Sequence, residues 1–227
     1  HLHEPDDPLF DEIGYALHEA RPDVVLVEGK EYLNEHKDRI RAHLKRVHVA
    51  DLFEEGESIV ALKHAVELGA DFESPEPDLR EEVTRMLNDG YAPRDIFTYY
   101  AYRSVAQYIR EHSDPRIEEC RAHLSPEFEK LRSGTGWDEQ VLDELEAALL
   151  RELDISDQTR YETQSDPVPW EGVPQTPVNE VARTSCRIRD EHILKRVAEL
   201  METYDNVFIV YGSTHAVRLE PAIRQLI

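Results

Sequence analysis

Cysteine is almost missing from this 227-residue chain: Cys120 and Cys186 are the only two, in unrelated contexts and without CxxC spacing. That excludes a disulfide scaffold and a zinc ribbon. Long apolar runs are missing as well. No stretch approaches the roughly 20 residues that a membrane-crossing helix requires, and no basic start leads into an apolar centre as in a signal peptide. A cytoplasmic protein with no membrane span is expected. Positive charge is the third scarcity, with 26 Lys and Arg against 48 Asp and Glu and a formal net charge of -22. Such a field repels nucleic-acid phosphates and anionic lipid surfaces, so neither is expected as a broad-surface partner, although a specific pocket can still hold an anion.

What remains is a folded acidic protein, since 40% of its residues are hydrophobic and its length suits one substantial domain. The acids are spread along the chain and Arg greatly outnumbers Lys. This surface reads either as ordinary solubility or as halophilic adaptation, in which salt screens the mutual repulsion.

Leu9, Ile13, Leu17 and Ala20 recur at helical spacing, and Arg21-Pro22-Asp23 ends that helix before an apolar strand, Val24-Val-Leu-Val27. An amphipathic helix is expected from about Glu31 to Val47. A further helix, Ile59 to Leu68, is closed by Gly69, and a short strand, Ala70 to Glu73, runs into Ser74-Pro-Glu-Pro77. Helical periodicity then covers Asp78–Asn88, Pro93–Arg110, Arg116–Arg132 and Trp137–Leu153, so 78–153 reads as a helical insertion. Asp154 to Val178, with several prolines and Trp170, reads as a long loop, functional or mobile, that in an enzyme would gate access. Asn179 to Tyr204 resumes as helix, Asn206 to Tyr211 forms the last strand, and a short helix through Leu219 and Ile223 follows. The sum is a single α/β domain over 1–227: a small, mainly parallel sheet flanked by helices, with a large helical insertion.

In an open parallel sheet, ligands and catalytic groups gather beyond the carboxyl ends of the strands. Two strands end here on ionisable residues. Val24–Val27 leads into Glu28, which is either a site carboxylate or the partner of a neighbouring Arg. Asn206–Tyr211 leads into Gly212-Ser-Thr-His215, where Gly212 and Ser213 let the backbone turn tightly and His215 either acts as base or ligand or caps the next helix. Glu76 is fixed between Pro75 and Pro77, as a second carboxylate or an ordinary turn. Arg103, one helical turn from Tyr99 and Tyr100, needs a carboxylate or ligand partner. Arg187 and Asp190 can pair at i,i+3, with Arg189 and His192 beside them. His1 and His3 can clasp a metal from an extended segment or be merely terminal. The other histidines, at 18, 36, 43, 48, 64, 112, 123 and 192, are taken as surface residues.

Taken in order, His1-Leu-His-Glu-Pro5, Pro22-Asp-Val-Val-Leu-Val-Glu28, Gly56-Glu-Ser58, Arg189-Asp-Glu-His-Ile193 and Val207-Phe-Ile-Val-Tyr-Gly-Ser-Thr-His215 resemble the TraB and Tiki superfamily, which also takes in ChaN-like and erythromycin-esterase-like proteins. The resemblance spans nearly the whole chain. It implies a pocket made by two strand-end GxxH motifs and a strand-end Glu. By position the second GxxH is Gly212 to His215, the acid is Glu28, and the first histidine is His1 or His3. The glycine of that first motif would precede His1, so an upstream strand is expected. Members of the superfamily include metal-dependent peptidases, lactone hydrolases with a histidine base, haem-binding proteins and proteins linked to peptide pheromone shutdown.

Two functional expectations follow. One is a hydrolase of peptide or ester bonds, in which His1 or His3, Glu28 and His215 hold a divalent metal or act directly as bases, with Gly212 and Ser213 lining the site. Glu76 would add a second carboxylate, and Arg103 and Arg189 would stabilise negative charge. The other is a non-catalytic protein that binds a peptide, haem or anion in the same pocket. A homodimer is compatible with either.

Overall fold

The computed structural model describes residues 8–29 and 32–226, without the side chains of Tyr32, Glu54, Ser213 and Thr214. In chain order the elements are α1 (Pro8–Ala20), β1 (Val24–Val27), α2 (Tyr32–Leu44), a 3-10 segment at Val49–Glu55, α3 (Glu57–Leu68) and β2 (Asp71–Glu73). Then come α4 (Leu79–Asn88), α5 (Pro93–Glu111), α6 (Ile117–Thr135), α7 (Glu139–Glu152), α8 (Gln158–Ser165) and α9 (Pro177–Met201), followed by β3 (Val207–Val210) and α10 (Ser213–Ile223). The chain divides into an α/β unit, His1–Pro77 with Arg189–Ile227, and a helical unit, Asp78–Ile188. No helix among the described residues is long and apolar enough to cross a membrane.

In the α/β unit the sheet has three parallel strands in the order β2-β1-β3. Val24 pairs with Asp71 on one side and Val207 on the other, and Val27 reaches Val210. Because successive side chains point to opposite faces, the apolar run of β1 serves two cores at once. Val25 and Val27 pack with Phe10, Leu17, Leu62 and Phe72, whereas Val24 and Leu26 pack with Ile193, Val197, Leu200 and Leu219. All four β1 residues are fully buried. This is the small parallel sheet flanked by helices that the sequence pattern calls for.

The contact between α1 and α3 turns on Gly14. A Cβ there would lie 2.9 Å from His64 Nε2, so the glycine is what lets the imidazole pack against α1. His64 is therefore not the surface residue that its charged neighbours suggest: its side chain is only 15% exposed. Burial holds its pKa below the usual imidazole value, against the opposing pull of Glu67.

The helical unit closes its own core around Phe97, Leu124, Phe128, Leu131 and Tyr161. Asp78 and Asp138 cap α4 and α7 by accepting from the backbone N–H groups of Arg80 and Gln140. The 154–178 stretch differs from the structureless loop that its prolines suggest, because it contains α8, capped by Asp157. Asn179, also buried, holds the end of that stretch by donating to the carbonyls of Thr163 (2.7 Å) and Asp166 (3.2 Å). The helical segment expected to end at Leu153 thus continues as one compact unit to Ile188.

Candidate functional site

The carboxyl edge of the sheet gathers charge from each strand. β1 delivers Glu28, the chain leaving β2 delivers Glu76, and the turn after β3 delivers His215 at the start of α10. The C-terminal part of α9 lays Arg189 and Asp190 across them. All of these residues belong to the α/β unit.

Arg189 is the hub. Its Nε donates to Glu76 Oε2 at 2.7 Å and its Nη2 to Glu76 Oε1 at 2.8 Å, a bidentate pair in which the side chains are 9% and 4% exposed. Nη2 also reaches Glu28 Oε1 at 3.3 Å. The other oxygen of Glu28 accepts the Gly212 N–H at 2.8 Å. Gly212 is needed here for its bareness: a Cβ would stand 3.0 Å from Glu28 Oε2, which is tighter than nearly all real contacts. The glycine that opens the GxxH turn thus serves a carboxylate from another strand.

His215 is buried. Its Nδ1 lies 2.8 Å from Asp190 Oδ1, and its Nε2 faces Glu28 Oε1 at 3.8 Å. Asp190 is held from the other side by Arg218, whose Nη2 is 2.8 Å from Oδ2. A carboxylate on Nδ1 favours the tautomer with hydrogen there, which leaves Nε2 as the proton acceptor. Tyr211 sets its ring edge-on to His215, with centroids 5.9 Å apart, and its buried hydroxyl lies beside Glu76. Burial and the adjacent Glu76 charge push the Tyr211 hydroxyl well above its usual pKa, so it stays protonated. Burial also tends to raise Glu76, but the hydrogen bonds and charge of Arg189 outweigh it and hold the carboxyl below the ordinary glutamate value.

Glu28, Glu76, Arg189, Gly212 and His215, all singled out in the sequence, therefore meet. Arg189 meets them as the organiser of two carboxylates. Arg103 stands on α5 in the helical unit, where its charge acts on Tyr99 and Tyr100 against the effect of their burial. His1, His3 and the Ser213 side chain lie outside the described residues. Asp190 finds its partners in His215 and Arg218, while Arg187 Nη2 donates to Asp89 Oδ2 at 2.8 Å instead of serving only a local pair. Sequence reasoning missed Tyr211, Arg218 and a second clamp in which Arg196, seven residues beyond Arg189, holds both oxygens of Glu73. The i,i+7 spacing of two arginines on one helix, facing two acids at the end of one strand, was the available signal.

For the metal that the resemblance implies, Glu28 and His215 offer two donors 3.8 Å apart, with Asp190 behind the imidazole as metal-binding histidines commonly have. Among the described residues no third His, Cys, Asp or Glu completes a cluster at this edge. The third ligand that the resemblance assigns, His1 or His3, lies outside the described residues.

The low pKa of Glu76 carries a testable sign. Its stabilising effect is complete above the unfolded glutamate pKa, about 4.3, and is lost as pH falls through the lower folded value. Glu76→Gln should cost about 3 kcal/mol at neutral pH, because Arg189 loses its closest buried partner, and should flatten the loss of stability below about pH 4. Urea unfolding from pH 3 to 7 measures both effects. Compared with known protein families, curated proteins and solved structures, the chain matches none.

Proposed function

We propose that the carboxyl edge is the active site of a hydrolase acting on ester or peptide bonds, with His215 as its general base. The observation that supports this reading most is the Asp190–His215 pair at 2.8 Å, with Nε2 turned towards the Glu28 carboxylate. In the forward step a water oxygen attacks the substrate carbonyl while Nε2 takes its proton. The protonated imidazole, stabilised by Asp190, then returns that proton to the departing alcohol or amine. Glu28, fixed through both oxygens, accepts the other hydrogen bond of the attacking water and so orients it. Arg189 and Arg218 position the carboxylates. A divalent metal held by Glu28, His215 and His1 or His3 would supply a bound water of lowered pKa; the route above uses only the described residues.

A second reading is supported by Arg189 already facing two carboxylates. With that cation engaged, the edge can serve as a binding site for a peptide, haem or other ligand without turnover. The two readings separate on a panel of p-nitrophenyl esters, lactones and short peptides. For the hydrolase, His215→Ala should lower kcat by about 100-fold or more. Asp190→Asn should lower kcat with little change in KM, because it disturbs the imidazole rather than substrate contacts. Saturable binding without turnover favours the second reading, and turnover unchanged in His215→Ala sinks the first.

We also propose that the protein is cytoplasmic, that it can pair as a homodimer, and that its acidic surface is halophilic. A charge of -22 on 227 residues repels itself, and salt screens that repulsion. The melting temperature should rise between 0.1 and 2 M KCl, and a fall across that range would contradict the halophilic reading.

A further inference from the structure

The opposite edge of the sheet carries a second constellation that the proposed reaction does not use. α1 ends just before β1 and α3 just before β2, so residues near their C-termini cluster at the amino ends of the strands. There His18 from α1 meets His64 and Glu67 from α3. The two rings stand edge to face with centroids 5.5 Å apart. His64 Nδ1 lies 3.4 Å from Glu67 Oε2, and one donor atom from each of the three side chains falls within 4.8 Å of the others.

We propose that His18, His64 and Glu67 bind a zinc-type divalent metal ion that fastens α1 to α3 at the amino edge of the sheet. Three features converge on this assignment. The donor set is two imidazoles and a carboxylate, the borderline ligands that zinc takes when three protein groups leave a fourth position open. His64 and Glu67 sit at i,i+3 on one face of α3, so one helix presents both ligands together. Finally, among the described residues the buried His64 Nδ1 makes no well-formed hydrogen bond and has only the long 3.4 Å approach of Glu67 Oε2, a costly state for a polar atom that a bound metal would relieve.

The surroundings support the same geometry. Gly14 admits the His64 ring against α1 on the Nε2 side, leaving Nδ1 on the side of Glu67. Lys63 Nζ lies 3.0 Å from Glu67 Oε1 and donates to the Leu44 carbonyl at 2.9 Å, which steadies the carboxylate while Oε2 faces the imidazole. His18 is exposed and borders an open recess of about 250 Å³ lined also by Arg21, Pro22 and Leu68. That recess gives an ion and its fourth ligand a way in. Metal bonds of roughly 2.0–2.2 Å bring tetrahedral donors to about 3.3 Å of one another, so closure asks for side-chain adjustments on the order of 1 Å.

The test is a zinc titration of the full chain against a chromophoric chelator. Wild type should take up zinc saturably. His18→Ala, which removes an exposed ring and leaves the core intact, should weaken binding at this site about tenfold or more, as should Glu67→Gln, while His215→Ala should retain the His18-dependent site at its wild-type affinity. Copper(II) in the same site should show electron paramagnetic couplings to two imidazole nitrogens, reduced to one by His18→Ala. Absence of saturable zinc binding overturns the proposal. So does equal affinity in wild type, His18→Ala and Glu67→Gln, or a loss of binding in His215→Ala alone, which would assign the metal to the carboxyl edge.

Discussion

One guanidinium organises the carboxyl edge of this protein. Glu28, Glu76 and Asp190 converge there, and two like charges 4 Å apart repel by about 4 kcal/mol at an effective dielectric of 20. In a chain with 48 acids and 26 bases the compensating cations must be placed with care. Arg189 meets Glu76 through two short hydrogen bonds and Glu28 through a third. Arg218 meets Asp190, and the Gly212 N–H takes the remaining Glu28 oxygen. Removing Arg189 would leave two carboxylates facing each other in a largely dry edge, which is why the arrangement depends on this residue more than on any one of the acids.

The same helix gives the site its rigidity. Arg189 and Arg196 lie two turns apart on α9 and grip Glu76 and Glu73, so the end of β2 is pinned at two points. Ile193 and Val197, between them, pack on Val24 and Leu26 of β1. Apolar packing therefore fixes how far α9 stands from the sheet, and the ion pairs fix its register along the strand ends. Asp190, pointing to α10, inherits that register and transmits it to His215.

Much of this was legible in the sequence. Val24–Val27 announces a strand buried on both faces because it lacks polar alternation, and the charged residue directly after it marks the edge where ligands gather. Gly212 to His215 is legible for the same reason. Asp190 was not, because its near neighbour Arg187 offers a plausible local partner, whereas its real ones lie 25 and 28 positions away on α10. α8 was hidden because Gln158–Ser165 buries only Tyr161 and Thr163, too few for a helical apolar pattern; its cap at Asp157 and its packing in the helical unit hold it. The meeting of His18 with His64 was invisible for a related reason, since each has charged neighbours in sequence that suggest a surface position, whereas the bare Gly14 on α1 admits the His64 ring.

The claim on which the functional account rests is that Asp190 fixes the His215 imidazole with its hydrogen on Nδ1 and Nε2 open towards Glu28. Nitrogen-15 NMR of the labelled imidazole reads this directly. In the neutral ring, Nε2 should resonate as an unprotonated nitrogen and Nδ1 as a protonated one, and Asp190→Asn should shift the balance towards the Nε2–H form. A wild-type His215 carrying its proton on Nε2, or a tautomer ratio indifferent to Asp190→Asn, would contradict the account.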